Sequence, residues 1–375
     1  MREIRKILFL AEGQMGDSIV LTPALKAAKE SLPGVNITIL LFHRRKYINN
    51  SPAGNPYIET SNYSGTAEIF RDNPYVDTVL ELDRKAMRSL KGLARLKAEW
   101  NCIRYLRKQK YDAVISTFPQ NRFVIWSYLA GIKKRIGERG QQFQFLLTDK
   151  PAVKRSDSGV LDYFCGLLKP LGVKTEKKDT FYHIPDENKI NAEKLLGELK
   201  ISLDEKLLII HPGASDKDRQ LPIAKMAELL SIFKTKSDVN ILFAYSEYDR
   251  EYMQSLQQIY KDKLLSVETD TISSLAGLLT HADAVLVHNS GPRHLAAAIG
   301  VKTIALLERY DDIMWKIYEN DEVHAVVQSQ KSCGLCEEGK CGGFIPGGEK
   351  FGAKCMHDIS INEIYSSVVR IINNP

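Results

Sequence analysis

Residues Lys6-Ile7-Leu8-Phe9-Leu10-Ala11, followed by Glu12-Gly13-Gln14-Met15-Gly16-Asp17, decide the fold class. A short, unbroken apolar run reads as a strand buried on both faces. Two glycines then open a turn, and Asp17–Ser31 reads as a helix. Strand, tight turn and helix make the opening unit of a parallel α/β sheet. The carboxylate of Asp17 stands at the start of that helix. There it is either a helix-terminal cap or a catalytic base. Ile7–Ala11 is too short for a signal-peptide core, and Glu12 and Asp17 follow at once, so the segment reads as the first core strand.

The same rhythm runs outward from this unit. Strands are expected at Asn36–Phe42, Val76–Leu80 and Tyr111–Thr117, with a helix at Gly159–Leu171. Residues 49–73 are rich in Asn, Ser, Gly and Pro and read as a long loop. A polar, aperiodic stretch at 174–187 predicts a linker near 185. Beyond it, strands are expected at Leu207–Ile210, Val239–Ala244, Ala284–Val287 and Thr303–Leu307. Helices are expected at Pro222–Lys234 (Pro in the first turn), from Glu247, at Thr271–Thr280, and at Pro292–Ile299 closed by Gly300. The expected fold is α/β: two Rossmann-like domains, 1–185 and 186–375, with parallel sheets facing across a cleft.

The 375 residues are 44% hydrophobic, enough for two cores. No apolar run reaches the roughly 18 residues of a membrane span, and a cytoplasmic protein is expected. The net charge of +6 is unevenly placed. Residues 84–110 hold ten Lys/Arg and one acid, Glu99, for a local charge of +9. Met87, Leu90, Ala94, Trp100, Ile103 and Leu106 recur there at helical spacing, predicting one basic amphipathic helix. Such a helix either lies on anionic lipid headgroups or packs on the core with a solvated basic face. No nucleic-acid-binding module is present, so nucleic acid is not an expected partner.

A second informative segment is Asn289-Ser290-Gly291-Pro292-Arg293-His294, between a strand and an Ala-rich helix. Gly291 lets a ligand approach the backbone, and Ser290 or Gly291 suits the N-cap. Bare amides and the helix dipole then suit a diphosphate, although a capped helix alone explains the same residues. The loop His211-Pro212-Gly213-Ala214-Ser215-Asp216-Lys217-Asp218-Arg219 leaves another strand end. Ser215, Lys217 and Arg219 there are candidate phosphate contacts, or simply a solvated charged loop. Asp249, after the next strand, is either a ribose-binding acid or a helix N-terminal acid.

Gly16-Asp17-Ser-Ile-Val-Leu-Thr22-Pro23-Ala-Leu-Lys26 resembles the N-terminal signature of glycosyltransferase family 9, the lipopolysaccharide heptosyltransferases. Asn73-Pro74-Tyr75-Val76-Asp77, Tyr111-Asp112, His211-Pro212-Gly213-Ala214, Arg219-x-x-Pro222 and Ser290-Gly291-Pro292-x-His294 follow in the family's order. The resemblance covers nearly the whole chain. It implies the GT-B architecture, with the acceptor in the first domain and the donor nucleotide in the second. It implies an inverting, metal-independent transfer, with heptose from ADP-heptose moved to a lipopolysaccharide-core or other glycolipid acceptor at the inner face of the cytoplasmic membrane. Asp17 is then the base, with Gly16 and Thr22 toward the acceptor. Arg219, Lys217, Ser215, Asp249, Asn289, Ser290, Gly291 and His294 fall toward the donor. The chain departs from the family at Asn289, where Asp is usual, at Leu221, where Trp is usual, and at Tyr245-Ser246, where Gly is expected. These departures leave a second reading, a glycosyltransferase-like binding or scaffold protein without activity.

Cys333, Cys336, Cys341 and Cys355 cluster, with His357 nearby. The cluster reads as a structural zinc site, as free packed thiols or as a redox-dependent disulfide, and no cofactor is expected for catalysis. Cys102 and Cys165 are expected in the core.

Overall fold

The computed structural model describes residues 3–43, 58–61, 63, 65–155, 157–214, 216–308, 312–315, 317–318, 320–329 and 354–374. The chain divides into two compact units, Met1–His183 and Ile184–Pro375. The expected division fell after residue 185.

The first unit runs β1 (Lys6–Glu12), α1 (Met15–Ser31), β2 (Asn36–His43), β3 (Glu59–Thr60), β4 (Thr78–Asp83), α2 (Arg84–Ser89), α3 (Gly92–Gln109), β5 (Ala113–Ser116), α4 (Asn121–Leu129), β6 (Lys134–Ile136) and α5 (Val160–Gly166). Among the described residues its sheet has the order β3-β4-β2-β1-β5-β6. Every pairing is parallel except the short β3 on β4. Ile7 to Leu10 are fully buried because β1 has a neighbour on each edge and helices on each face.

The second unit runs α6 (Asp186–Glu198), β7 (Leu207–His211), α7 (Ile223–Lys236), β8 (Asn240–Tyr245), α8 (Arg250–Ile259), β9 (Ser266–Glu268), α9 (Ile272–Leu279), β10 (Ala284–His288), α10 (Gly291–Ala298), β11 (Thr303–Leu307), α11 (Asp312–Trp315), β12 (His324–Gln328), α12 (Lys354–Asp358) and α13 (Ile361–Asn373). Its sheet, order β12-β11-β10-β7-β8-β9, is parallel throughout. Helix α13 closes the core with Ile364, Val368, Ile371 and Ile372 at helical spacing.

The two sheets share one plan. From the central strand the chain winds outward (β1-β2-β4, β7-β8-β9), then returns to the strand's other edge (β5, β10). The winding reverses between β1 and β5, and between β7 and β10, so each sheet has its crevice at the carboxyl end there. The opposite ends are pinned alike. Asp112, just before β5, accepts the amides of Arg5 and Lys6 at 2.9 and 3.0 Å. Asp283, just before β10, accepts that of Leu207 at 2.8 Å.

Several local expectations are corrected. Residues 84–110 form two helices, α2 and α3, and not one. Gly92 breaks them with φ +52, a left-handed conformation that glycine adopts cheaply. The 49–73 segment is not wholly loop: β3 and a 3-10 turn at Gly65–Phe70 lie in it. The polar linker runs into α6 at Asp186. Pro222 is the N-cap of α7 and not its first helical residue.

Candidate active site

In the first unit the site is built at the carboxyl end of β1. The turn Gly13–Gln14 leaves β1, and its backbone is held by two long-range bonds. The Gly13 amide donates to the Phe42 carbonyl at 3.2 Å, and Thr66 Oγ1 donates to the Gly13 carbonyl at 3.2 Å. Helix α1 then starts at Met15, so half-buried Gly16 and Asp17 occupy its first turn. Gln14 provides no side-chain cap, and a carboxylate in the first turn suits the dipole.

The principal partner of Asp17 is distant in sequence. Arg155, in the irregular segment before α5, forms an ion pair with Asp17 Oδ1 through Nη2. Both side chains are largely buried, at 20% and 11% exposure. Burial opposes the charge on Arg155, but the carboxylates of Asp17 and Glu12 outweigh it and raise its pKa above the usual value. Glu138 braces the segment, accepting the Arg155 amide at 3.3 Å and the Tyr163 hydroxyl at 3.2 Å. Burial, reinforced by Glu138, raises the Tyr163 pKa and keeps that hydroxyl a donor. No local pattern marks Arg155 in the sequence.

Thr22, expected near the acceptor, is turned inward instead. It is fully buried, donates to the Ile19 carbonyl at 2.6 Å and accepts the Phe181 amide at 2.9 Å. Its hydroxyl ties the end of the first unit to α1. Asp77 is also architectural, since it accepts Lys29 Nζ at 2.6 Å and the Ile37 amide at 2.7 Å.

In the second unit the loops after β7, β8, β10 and β11 converge on one sheet edge. Arg219 Nε lies 3.5 Å from Glu308 Oε1 and 3.9 Å from Asp216 Oδ2. Glu308, at the end of β11, is 1% exposed, while the Arg219 side chain keeps 23%. Lys217 reaches sideways to an ion pair with Glu251 of α8. Ser215 lies outside the described residues. Ser290 is the N-cap of α10 but does not cap it through its side chain. The hydroxyl leans on the His288 carbonyl at 3.4 Å, and Gly291 and Pro292 open the helix. The opening turn thus presents backbone to the sheet edge.

Two residues expected toward the donor make contacts within the second unit. His294 is buried, with Nδ1 3.0 Å from the Tyr318 hydroxyl and its ring 5.3 Å from that of Trp315. Burial, then the nearby Arg293 charge, pushes its pKa well below the usual imidazole range. Asp249 is also buried, and accepts the Ser246 amide at 3.1 Å and hydroxyl at 2.6 Å. It closes the lead-in to α8. A Cβ added to Gly213 would sit 2.4 Å from Asp249 Oδ1, so the His211–Ala214 loop lies directly over that carboxylate.

Arg293 was missed, although an arginine among Leu and Ala on a short helix is the signal that could have found it. It is 1% exposed, donates to the Trp315 carbonyl at 2.8 Å and lies 5.4 Å from the Tyr318 ring centroid. Asn289 Oδ1 faces it at 3.4 Å. Beneath the loops, His288 Nε2 accepts the Leu221 amide at 2.8 Å. Burial, then the neighbouring His211, lowers the His288 pKa to about 3.

Among the described residues no three or more His, Cys, Asp or Glu side chains stand together as a metal site. Cys333, Cys336 and Cys341 lie outside the described residues, while Cys355 is buried on α12. Cys102 and Cys165 are buried, as expected. No helix among the described residues is long and apolar enough to cross a membrane.

Lipopolysaccharide heptosyltransferase 3 of Escherichia coli is 21% identical over 320 residues, covering 82% of this chain and 85% of that protein. A family 9 glycosyltransferase from Veillonella parvula superposes with a TM-score of 0.77 at 16% identity, covering 98% and 97% of the two chains. The Escherichia coli ADP-heptose lipopolysaccharide heptosyltransferase II gives 0.68 at 14% identity, with 98% of each chain covered. The fold is GT-B, two Rossmann-like domains with parallel sheets. The model of glycosyltransferase family 9 (heptosyltransferase) matches residues 100–341, and the chain belongs to that family of glycosyltransferases.

Proposed function

We propose that the protein moves a heptose from ADP-heptose to a lipopolysaccharide-core or related glycolipid acceptor, with inversion at the anomeric carbon. One observation carries the mechanism. At the reversal point of the first sheet, a carboxylate stands at the start of α1, held by a buried arginine. In this reading the acceptor hydroxyl attacks the anomeric carbon as the bond to ADP breaks. Asp17 takes the hydroxyl proton, and ADP leaves with the bonding electrons. Arg155 is a positioning residue that keeps the Asp17 carboxylate aimed.

The donor is assigned to the second unit. Arg219 and the backbone at Ser290 and Gly291 offset the charge growing on the leaving diphosphate, and no metal is required for that. Asn289, which faces Arg293, serves by fixing the α10 turn. The likeness to the lipopolysaccharide heptosyltransferases of Escherichia coli, one of them ADP-heptose-dependent by name, supports the sugar and its carrier. The lipid of such an acceptor would put the enzyme at the cytoplasmic face of the membrane.

The test is transfer from ADP-heptose to a purified core acceptor, read by mass spectrometry, with wild type and Asp17→Asn. Loss of at least about a hundredfold in kcat is expected for the variant. Transfer at full rate by Asp17→Asn would remove the base assignment. Absence of a heptosylated product would remove the donor assignment.

A further inference from the structure

At the reversal point of the first sheet, the Gly13–Asp17 turn leaves β1 and residues 117–122 leave β5. Beside the second of these lies a groove of about 720 Å³, walled by Arg88, Arg95, Leu96, Arg122, Ile125 and Trp126. Its one acid is internally engaged. Glu99 accepts Trp126 Nε1 at 2.6 Å and pairs with Arg122 at 2.9 Å. Arg88 and the basic residues of α3 therefore dominate the outward charge.

Helix α3 does not lie on the core along its whole length. Residues 91–97 are all exposed, and burial begins at Ala98. Leu93 is 84% exposed, Leu96 66% and Trp100 49%. These three follow one helical stripe, and exposed Lys97, Arg104 and Lys108 lie along the same side of the helix. A helix that only displayed a solvated basic face would not turn two leucines and a tryptophan outward with it. Phe143 and Phe145 are exposed as well, and their loop is joined to the groove where Asn121 donates to Gln142 at 2.7 Å. Apolar side chains ringed by lysine and arginine are the composition of a surface that enters a headgroup region.

The groove also adjoins the Asp17 turn. Phe42, whose carbonyl receives the Gly13 amide, has its ring 5.1 Å from that of Phe123 and 5.8 Å from the Arg122 guanidinium.

We propose that this face docks on an anionic phospholipid bilayer. Leu93, Leu96 and Trp100 enter the interface while Lys97, Arg104 and Lys108 meet headgroup phosphates. The inference goes beyond the transferase reading. Vesicle binding is measured without donor or acceptor, so failure of one leaves the other standing.

The experiment is co-sedimentation of the full chain with phosphatidylcholine vesicles, with and without phosphatidylglycerol. Wild type should sediment with the phosphatidylglycerol-containing vesicles and not with phosphatidylcholine alone. Reversing Lys97, Arg104 and Lys108 to Glu should weaken binding about tenfold or more. Leu93→Ser with Leu96→Ser should weaken it at unchanged charge. Reversing Lys194, Lys200, Lys261 and Lys263 in the second unit should leave it near wild type. Thermal melts like wild type for these surface variants establish that loss of binding is not loss of fold. Equal binding by the first two variants, equal loss in the second-unit variant, or no binding by wild type would each overturn the proposal.

Discussion

Asp17 and Arg155 are ion-paired across 138 residues of chain. The pair joins the first turn of α1 to the segment entering α5, two helices that pack together. Removing either partner leaves the other charge in a largely buried place. Asp17→Asn and Arg155→Met should each destabilise the protein by about 2–4 kcal/mol. Because both remove one interaction, the double variant should cost less than the sum. Urea unfolding of the four proteins gives the coupling, expected to exceed about 1 kcal/mol. Strict additivity would mean that the pair contributes nothing in solution.

Arg219 carries the donor prediction. Arg219→Gln should raise the KM for the nucleotide sugar by about 10- to 100-fold, the loss expected for a hydrogen bond to a charged group. Lys217→Gln should do far less, because Lys217 is turned toward Glu251. Initial rates over a donor titration separate the two. Equal effects would place both cations on the donor.

Acid should destabilise the second unit through its buried histidines. His288 is held neutral, with a folded pKa of about 3. The unfolded chain takes up that proton near pH 6.5. Stability is therefore fully present above that pH and is lost as pH falls toward 3, by about 1.4 kcal/mol per pH unit for each such group. His211 and His294 are shifted in the same direction, and His324 is lowered to about 4. His288→Gln should flatten part of the acid slope in melts taken over this range. An unchanged slope would mean that His288 is protonated in the folded protein.

Gly213 tests the packing over Asp249. Its φ is ordinary, so the constraint is space and not backbone conformation. Gly213→Ala should cost about 1–3 kcal/mol, as overpacking does, because Asp249 is short and held by Ser246. Gly197→Ala, at an exposed helical position with nothing near the new Cβ, should be neutral or stabilising. Differential scanning calorimetry of the two variants decides it.

The sheet architecture was legible because parallel central strands must be apolar on both faces. Lys6–Ala11, Leu207–Ile210 and Ala284–Val287 announce themselves in that way. The loops that follow them were found for the same reason. Arg155 was not legible, since it lies in a segment without periodicity and meets Asp17 only through tertiary structure. The burial of His294 and Asp249 was not legible either, since motif order says nothing of which way a side chain turns. The β6 strand Lys134–Ile136 escaped notice because its three residues carry two cations. The single-helix expectation at 84–110 failed at Gly92, where a helical hydrophobic pattern continued across a backbone that does not.

Each unit is one uninterrupted stretch of chain, and this sets an order of events during synthesis. Arg155, which holds Asp17, and Glu138, which braces Arg155, both lie within the first 183 residues. At about 5–20 residues per second, the ribosome needs roughly 10–40 s more to make the second unit. The carboxylate and its arginine can therefore meet on the nascent chain well before the loop containing Ser290 has been translated.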